Sequence, residues 1–550
     1  MATTNASAAG LEFRAPAPGT WLLDGVHMPR PFSRFQQAIH APGIAAGCRD
    51  CFGRYGLLVD HLDFRFVHGL AYFAPVPAPQ HEIPARFEAA ERAVAGKIWR
   101  ADLDRWLQDT KPASIRAHLD LQRVDPNSLG KEALVARIEQ CIAHLSRMVR
   151  QHHSLNAAAI LPLGDFMASV AEWTGQPLGA FLAILRGAAP ESAGAFPELD
   201  RLVAAVRQSR TALDLLASAG DPGGIVAGLR SMPGEVGAAA TGYLDIVSYR
   251  LLDSLDTADR TAIEMPEVLL KGLRFVVDKG APASSTSTSE EAARLRDLIP
   301  DTHRAAYDEL LGEARLMSRL RDERGLYSDV WAAGIARRAL LAAGSKLADQ
   351  HRLHEPAHLI EGDPDEIRAL LANAGGPSAD ELAERSDSRA ALRAMDAPPF
   401  LGEPPHPPPP LDGLPPAVAR LMRALGTAID AIFAPSTAIS DSSVVRGTGA
   451  SPGRFTGTAR VVGGPADFGR LQRGDVLVTS TTTESFNIVL PLLGAIVTDT
   501  GGLLSHSAIV CREYGIPGVV GCLDATSRIA DGSRVVVDGG TGEVQMVSPT

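Results

Sequence analysis

The chain is poor in cysteine, has no long apolar run and carries no excess of positive charge. Five cysteines in 550 residues cannot build a disulfide framework. Cys48 and Cys51 form a C-x-x-C, but there is no second pair and no thioredoxin-like setting. The spacing is read as chance, and no metal site is expected. Cys511 and Cys522 are read as small apolar fillers. No run of about eighteen apolar residues occurs, so no membrane-spanning helix is expected. The opening residues Met1 to Asn5 lack the basic and apolar regions of a secretory leader. These features fit a cytoplasmic, reducing compartment. A formal charge of −11 argues against a nucleic-acid scaffold.

What is present is ordinary globular composition, 45% hydrophobic and 21% charged. The length allows several domains, each with its own core. The run from Ala397 to Pro410 is rich in proline and reads as a semi-rigid spacer. A short helix is predicted from Ala417 to Phe433, followed by Ala434-Pro435-Ser436-Thr437. Residues 1–80 are predicted to be irregular or β-containing. Residues 81–395 are predicted to be mainly helical, residues 396–440 a proline-rich linker with its short helix, and residues 441–550 a separate domain. Long amphipathic helices are expected over Phe87–Asp109, Lys131–His153, His303–Asp322 and Asp329–His351. Ala281 to Ser289 is polar and low in complexity and reads as a mobile surface loop. Apolar runs at 475–480, 494–499, 518–522 and 533–538 predict strands. The fold class is multidomain α + α/β, with a large helical part followed by a β/β/α sandwich around a mixed sheet.

The most informative stretch runs from Thr500 to Gly521. Gly501 and Gly502 precede Leu503, Leu504, Ser505 and His506. Ser505 is a natural N-cap, and Gly515 with Pro517 stops the helix. His506 therefore opens a short helix, where free N–H groups and the helix dipole favour an anion. An imidazole there is well placed to hold a phosphoryl group, with Thr500, Gly501, Gly502 and Ser505 shaping the loop around it.

This segment resembles the phosphohistidine swivelling domain of the PEP-utilising enzymes. The resemblance covers roughly residues 440 to 550 and includes the entry motif Gly447-Thr448-Gly449-Ala450-Ser451-Pro452-Gly453. It implies that His506 is a phosphoryl carrier.

Arg315 to Tyr327 is dense in arginine and acid. Its plain reading is a solvated helix face with local ion pairs. The cluster ends at Gly325, which reads as a helix-to-loop edge, and a second basic pair, Arg337 and Arg338, follows. The stretch also resembles the substrate-binding domain of the rifampin phosphotransferase and phenylphosphate synthase proteins. The resemblance implies that Arg321 binds phosphoryl oxygens and that Asp322 or Glu323 accepts the substrate hydroxyl proton. Arg315, Arg324, Arg338 and His27 are further substrate-binding candidates. Trp21 to Pro31 and Tyr243 to Pro266 are similar to other parts of the same domain.

No glycine-rich phosphate loop with following lysines and acidic metal ligands occurs, and no βα repeat of barrel length. The resemblance then implies a carrier and an acceptor domain without a donor site. The chain itself is expected to bind no cofactor. Mg-ATP is expected through a separate ATP-grasp subunit, and the acceptor is expected to be a small, hydroxylated, aromatic molecule. Neither a nucleic-acid nor a membrane partner is expected. Two alternatives stand beside this: a non-catalytic ligand-binding relative, and a self-contained enzyme using phosphoenolpyruvate directly.

Overall fold

In the computed structural model all residues are described except 1–4, 7–9, 195, 253–254, 280–288, 434–442, 484–485, 488 and 548–550. The polar stretch from Ala281 and the segment Ala434 to Thr437 therefore lie outside the described residues, Ser289 excepted. The chain forms two compact units, each assembled from separate pieces of sequence.

The first unit comprises residues 1–158, 249–260 and 324–422. It has a four-stranded antiparallel sheet in the order Val59–Val67, Leu70–Pro77, Thr20–Leu23, Phe400–Gly402. Phe13, Trp21, Leu70, Tyr72 and Leu401 form its apolar core. The first 80 residues differ from expectation by containing a 22-residue helix, Arg34–Tyr55. The helix contains Pro42, Gly43 and Gly47, residue types that disfavour a helix interior. The glycines instead allow close packing on the helix Lys131–His153: a Cβ at Gly47 would sit 2.5 Å from the Arg150 carbonyl oxygen. That second helix has the expected bounds. The helix expected over Phe87–Asp109 is broken at Lys97, which adopts φ 45° between Ile83–Gly96 and Ile98–Arg105. Helix Asp329–Asp349 completes the packing around Lys131–His153. Cys48 and Cys51 are buried free thiols. Burial raises both, Cys51 to about 12, so neither is a thiolate at neutral pH.

The second unit comprises residues 159–248, 261–323 and 423–550. Its helical part includes Pro197–Arg207, Glu235–Val247, Pro266–Lys279 and Arg304–Ser318. Its eight-stranded mixed sheet runs Val444–Arg446, Glu543–Val547, Arg534–Asp538, Arg454–Val461, Asp475–Thr479, Leu493–Thr498, Gly518–Val520, Thr448–Ser451. The central strands from Arg454–Val461 to Gly518–Val520 are parallel. Val476, Val478, Ala495, Val497 and Val519 are fully buried, as expected of parallel strands covered on both faces. The helix predicted from Ala417 spans Pro416–Phe433.

The helix bearing Asp322 runs Leu320–Leu326 and passes through Gly325, which does not end it. Residues 322–330 are all buried, so packing outweighs the roughly 1 kcal/mol that an interior glycine costs. Among the described residues one helical stretch, Lys131–Thr174, is long and apolar enough to span a bilayer, and 83% of its most apolar window is buried inside the protein.

Candidate phosphoryl-carrier site

His506 starts the helix His506–Tyr514 just beyond the C-terminal end of parallel strand Leu493–Thr498. Loops at this end of a parallel sheet are where ligands bind in open α/β folds. Ser505 caps the helix by accepting from the Ala508 N–H at 3.4 Å, and Gly515 closes it at φ 64°. Thr500 donates its N–H and its hydroxyl to the Ser480 carbonyl, at 2.9 and 3.0 Å, and so ties together two strand-end loops. Ser507 Oγ lies 2.8 Å from Thr482 Oγ1, which fastens the same loops one residue past the histidine.

The glycine pair has a purpose beyond flexibility. Gly501 sits at φ 97°, a left-handed conformation that favours glycine. A Cβ at Gly502 would lie 2.3 Å from the Ala431 carbonyl oxygen. The N–H groups of Gly502 and Leu504 donate to the Ile432 and Ala431 carbonyls, at 3.0 and 2.9 Å. The open end of helix Pro416–Phe433 thus supplies its unpaired carbonyls to the carrier loop. Sequence gave no sign of this, because hydrogen bonding between backbones leaves no residue-type signature.

His506 is 8% exposed, and its Nδ1 lies 3.2 Å from Asp322 Oδ2. Asp322 is itself buried. Burial opposes its ionisation, yet the His506 hydrogen bond and charge, with Arg321 behind them, hold its carboxyl well below the usual carboxylate range. An ionised Asp322 accepts the Nδ1 proton, which leaves the lone pair of the neutral ring on Nε2. Arg321 donates from Nε and Nη2 to the Leu504 carbonyl, at 3.3 and 3.1 Å. It steadies the loop directly before the histidine.

The far end of the helix is also anchored. Glu513 is buried and accepts from the Gly187 and Ala189 N–H groups at 2.9 and 3.1 Å. Arg186 donates to the Arg512 carbonyl at 2.8 Å. Burial lowers the Arg512 guanidinium to about 10. Lys271 donates to the Phe468, Gly469 and Leu471 carbonyls.

The remaining sequence candidates separate. Glu323 is engaged by Arg319 at 2.7 Å. Arg315 donates to the Ile184 carbonyl at 2.6 Å. Arg324, Arg338 and His27 belong to the first unit. Arg324 reaches the His152 carbonyl and the Asn156 side chain. Arg338 is held by Gln122, Val124 and Asp125. His27 Nδ1 lies 3.1 Å from Asp24 Oδ2.

The family described as PEP-utilising enzyme, mobile domain, matches residues 471–542, which span the His506 loop and helix. Residues 471–542 thus match the mobile domain of the PEP-utilising enzymes. It is 28% identical over 96% of its length to chondramide synthase cmdD of Chondromyces crocatus, of which it covers 14%. It is 27% identical over 56% of its length to the uncharacterised phosphotransferase YvkC of Bacillus subtilis, covering 36% of that protein. It is 27% identical over 58% of its length to the rifampicin phosphotransferase of Streptomyces sviceus, again covering 36%. The chain thus spans well under half the length of each of these relatives.

Proposed function

We propose that this chain is the carrier and acceptor part of a phosphotransferase, with His506 as the phosphorylated residue. The observation that carries the reading is the buried Asp322 carboxylate on His506 Nδ1, at the N-terminus of a capped helix. Nε2 attacks the donor phosphorus, the N–P bond forms and the donor P–O bond breaks. In the second half-reaction an acceptor hydroxyl oxygen attacks, the O–P bond forms and the N–P electron pair returns to the ring. Asp322 stabilises the imidazole in both steps by holding the Nδ1 proton.

The donor half-reaction belongs to an ATP-grasp partner with Mg-ATP, and the acceptor is a small aromatic alcohol of the phenol class. The phosphotransferase relatives support the phosphoryl-transfer part of this reading. The five buried free cysteines support a reducing compartment, and we assign the chain to the cytoplasm.

The test is intact-mass detection of acid-labile phosphate after incubation with Mg-ATP, with and without candidate ATP-grasp partners. One phosphoryl group gained only with a partner, and lost in His506→Ala, supports the reading. Labelling by phosphoenolpyruvate alone overturns the donor assignment. No labelling under any of these conditions moves the chain to a ligand-binding role.

A further inference from the structure

In the first unit, residues from helices Ile83–Gly96 and Ile98–Arg105 and from the end of Arg34–Tyr55 line a groove of about 640 Å³. That is the size of a small-molecule site. Helical spacing explains which side chains reach it. Ala85, Ala89 and Ala93 recur along one face of the first helix, and Ile98, Ala101 and Arg105 share a face of the next. The alanines are too short to fill the space between the helices, so the groove keeps apolar walls and stays open. The chain turns between the two helices at Lys97, whose φ of 45° is uncommon for a residue other than glycine.

The groove is also positively charged. Arg54, Arg86, Arg92 and Arg105 line it against two carboxylates, Glu82 and Asp102. The chain as a whole carries −11, so this local excess runs against its composition. Arg86 is buried and committed, donating to Glu82, to Asp60 and to the Leu57 carbonyl. Asp102 is buried as well. It accepts from Arg54 Nη1 and, at 2.8 Å, from the Tyr55 hydroxyl. The other pairs are long: Arg92 lies 3.5 Å from Glu88, and Arg105 lies 3.8 Å from Asp102. A guanidinium carries more N–H donors than one such contact uses, so Arg54, Arg92 and Arg105 keep donors for a further acceptor. Arg54 is held in place by Asp102 and by the Tyr55 ring, whose centroid is 5.4 Å from its guanidinium carbon.

We infer that this groove binds a small amphipathic anion, an alkyl or aryl carboxylate. Its apolar body lies along the alanine wall, and its head is taken by Arg54, Arg92 and Arg105. A carboxylate offers the paired oxygens that a guanidinium fork matches. The apolar walls reward a hydrocarbon body, which an inorganic anion lacks. An acidic protein segment is the competing occupant, and it would use the charges while leaving those walls uncovered. Nothing in this binding depends on phosphorylation of His506.

The test is isothermal titration of the full chain with decanoate, with decylammonium as the charge-reversed control. One decanoate per chain is expected to bind, and decylammonium is not. Arg92 and Arg105 are exposed, so Arg92→Glu combined with Arg105→Glu reverses both charges outside the core. Decanoate affinity is expected to fall about tenfold or more in this variant. Ala101 is exposed on the groove wall, and Ala101→Trp is expected to abolish binding by filling the space. Both variants are expected to melt like the parent, and Ala85→Trp, exposed on the opposite helix, repeats the filling test at a second position. No binding of decanoate overturns the inference, as does equal binding of decylammonium or an affinity unchanged in these variants. Binding of a polyglutamate peptide in place of decanoate would also overturn it and assign the groove to an acidic protein partner.

Discussion

The two units each contain a carboxylate bonded to an imidazole Nδ1, and the difference between the pairs shows how surroundings assign chemistry. Asp322 faces His506 through one oxygen and has Arg321 beside it, so it stays ionised far below neutral pH. Asp329 faces His152 through both oxygens, and burial raises its carboxyl to about 6 against the pull of His40 and Arg324. The first pair sits at a helix N-terminus framed by backbone donors, which suits an imidazole that carries a dianionic group. The second is flanked by His40 and His153, which burial keeps neutral and which amide side chains hold in place. In our proposal the first of these pairs serves phosphoryl carriage.

The comparison can be broken by substitution, and the largest effect is expected at the carrier itself. His506→Ala abolishes acid-labile phosphate in an intact-mass assay, while circular dichroism stays that of the parent. Asp322→Asn leaves the ring in place but removes the carboxylate that fixes the Nδ1 proton. The rate of His506 labelling is expected to fall about a hundredfold or more, measured by quenched-flow mass analysis. An unchanged rate would mean that the pair is only a packing contact.

Next in size is the loop. Gly502→Ala places a methyl group against the Ala431 carbonyl and costs about 1–3 kcal/mol. Thermal unfolding shifts downward, and labelling slows with it. A parent-like melting temperature would show that helix Pro416–Phe433 does not brace the loop.

The pH dependence separates the two carboxylates by sign. Asp322 is depressed, so its contribution to stability is present above the unfolded carboxyl value and is lost as pH falls through the folded one. Asp329 is raised to about 6, so its contribution is full below the unfolded value near 3.8 and is lost as pH rises through about 6. Denaturant unfolding of Asp329→Asn between these values should therefore lose a downward slope that the parent shows. A steeper slope in the variant would contradict the raised value. The smallest effect on labelling is expected for Glu323→Gln, which weakens the pair between this buried carboxylate and the partly exposed Arg319 and leaves labelling unchanged.

These regions also differ in how legible they were. The His506 loop could be read from sequence because its determinants are local: two glycines, a serine cap, a short helix and a stop. Its partner Asp322 was named from a separate charged cluster, although Gly325 wrongly suggested that the helix ended there. The Arg34–Tyr55 helix was missed because its proline and glycines look like loop residues until the packed helix opposite is seen. The His152–Asp329 pair was invisible for another reason. Its members are 177 residues apart, and neither lies in a distinctive motif. The anchoring of Glu513 by two backbone N–H groups likewise depends on chain path and not on residue type.

The central claim is that Asp322 directs phosphorylation to one nitrogen of one histidine. It is tested most directly by 31P and 15N NMR of the charged chain, with His506→Ala as the blank. The account predicts a single phosphohistidine at His506 bonded through Nε2, with Nδ1 still protonated toward Asp322. A phosphoryl group on Nδ1, or on a residue other than His506, would contradict it.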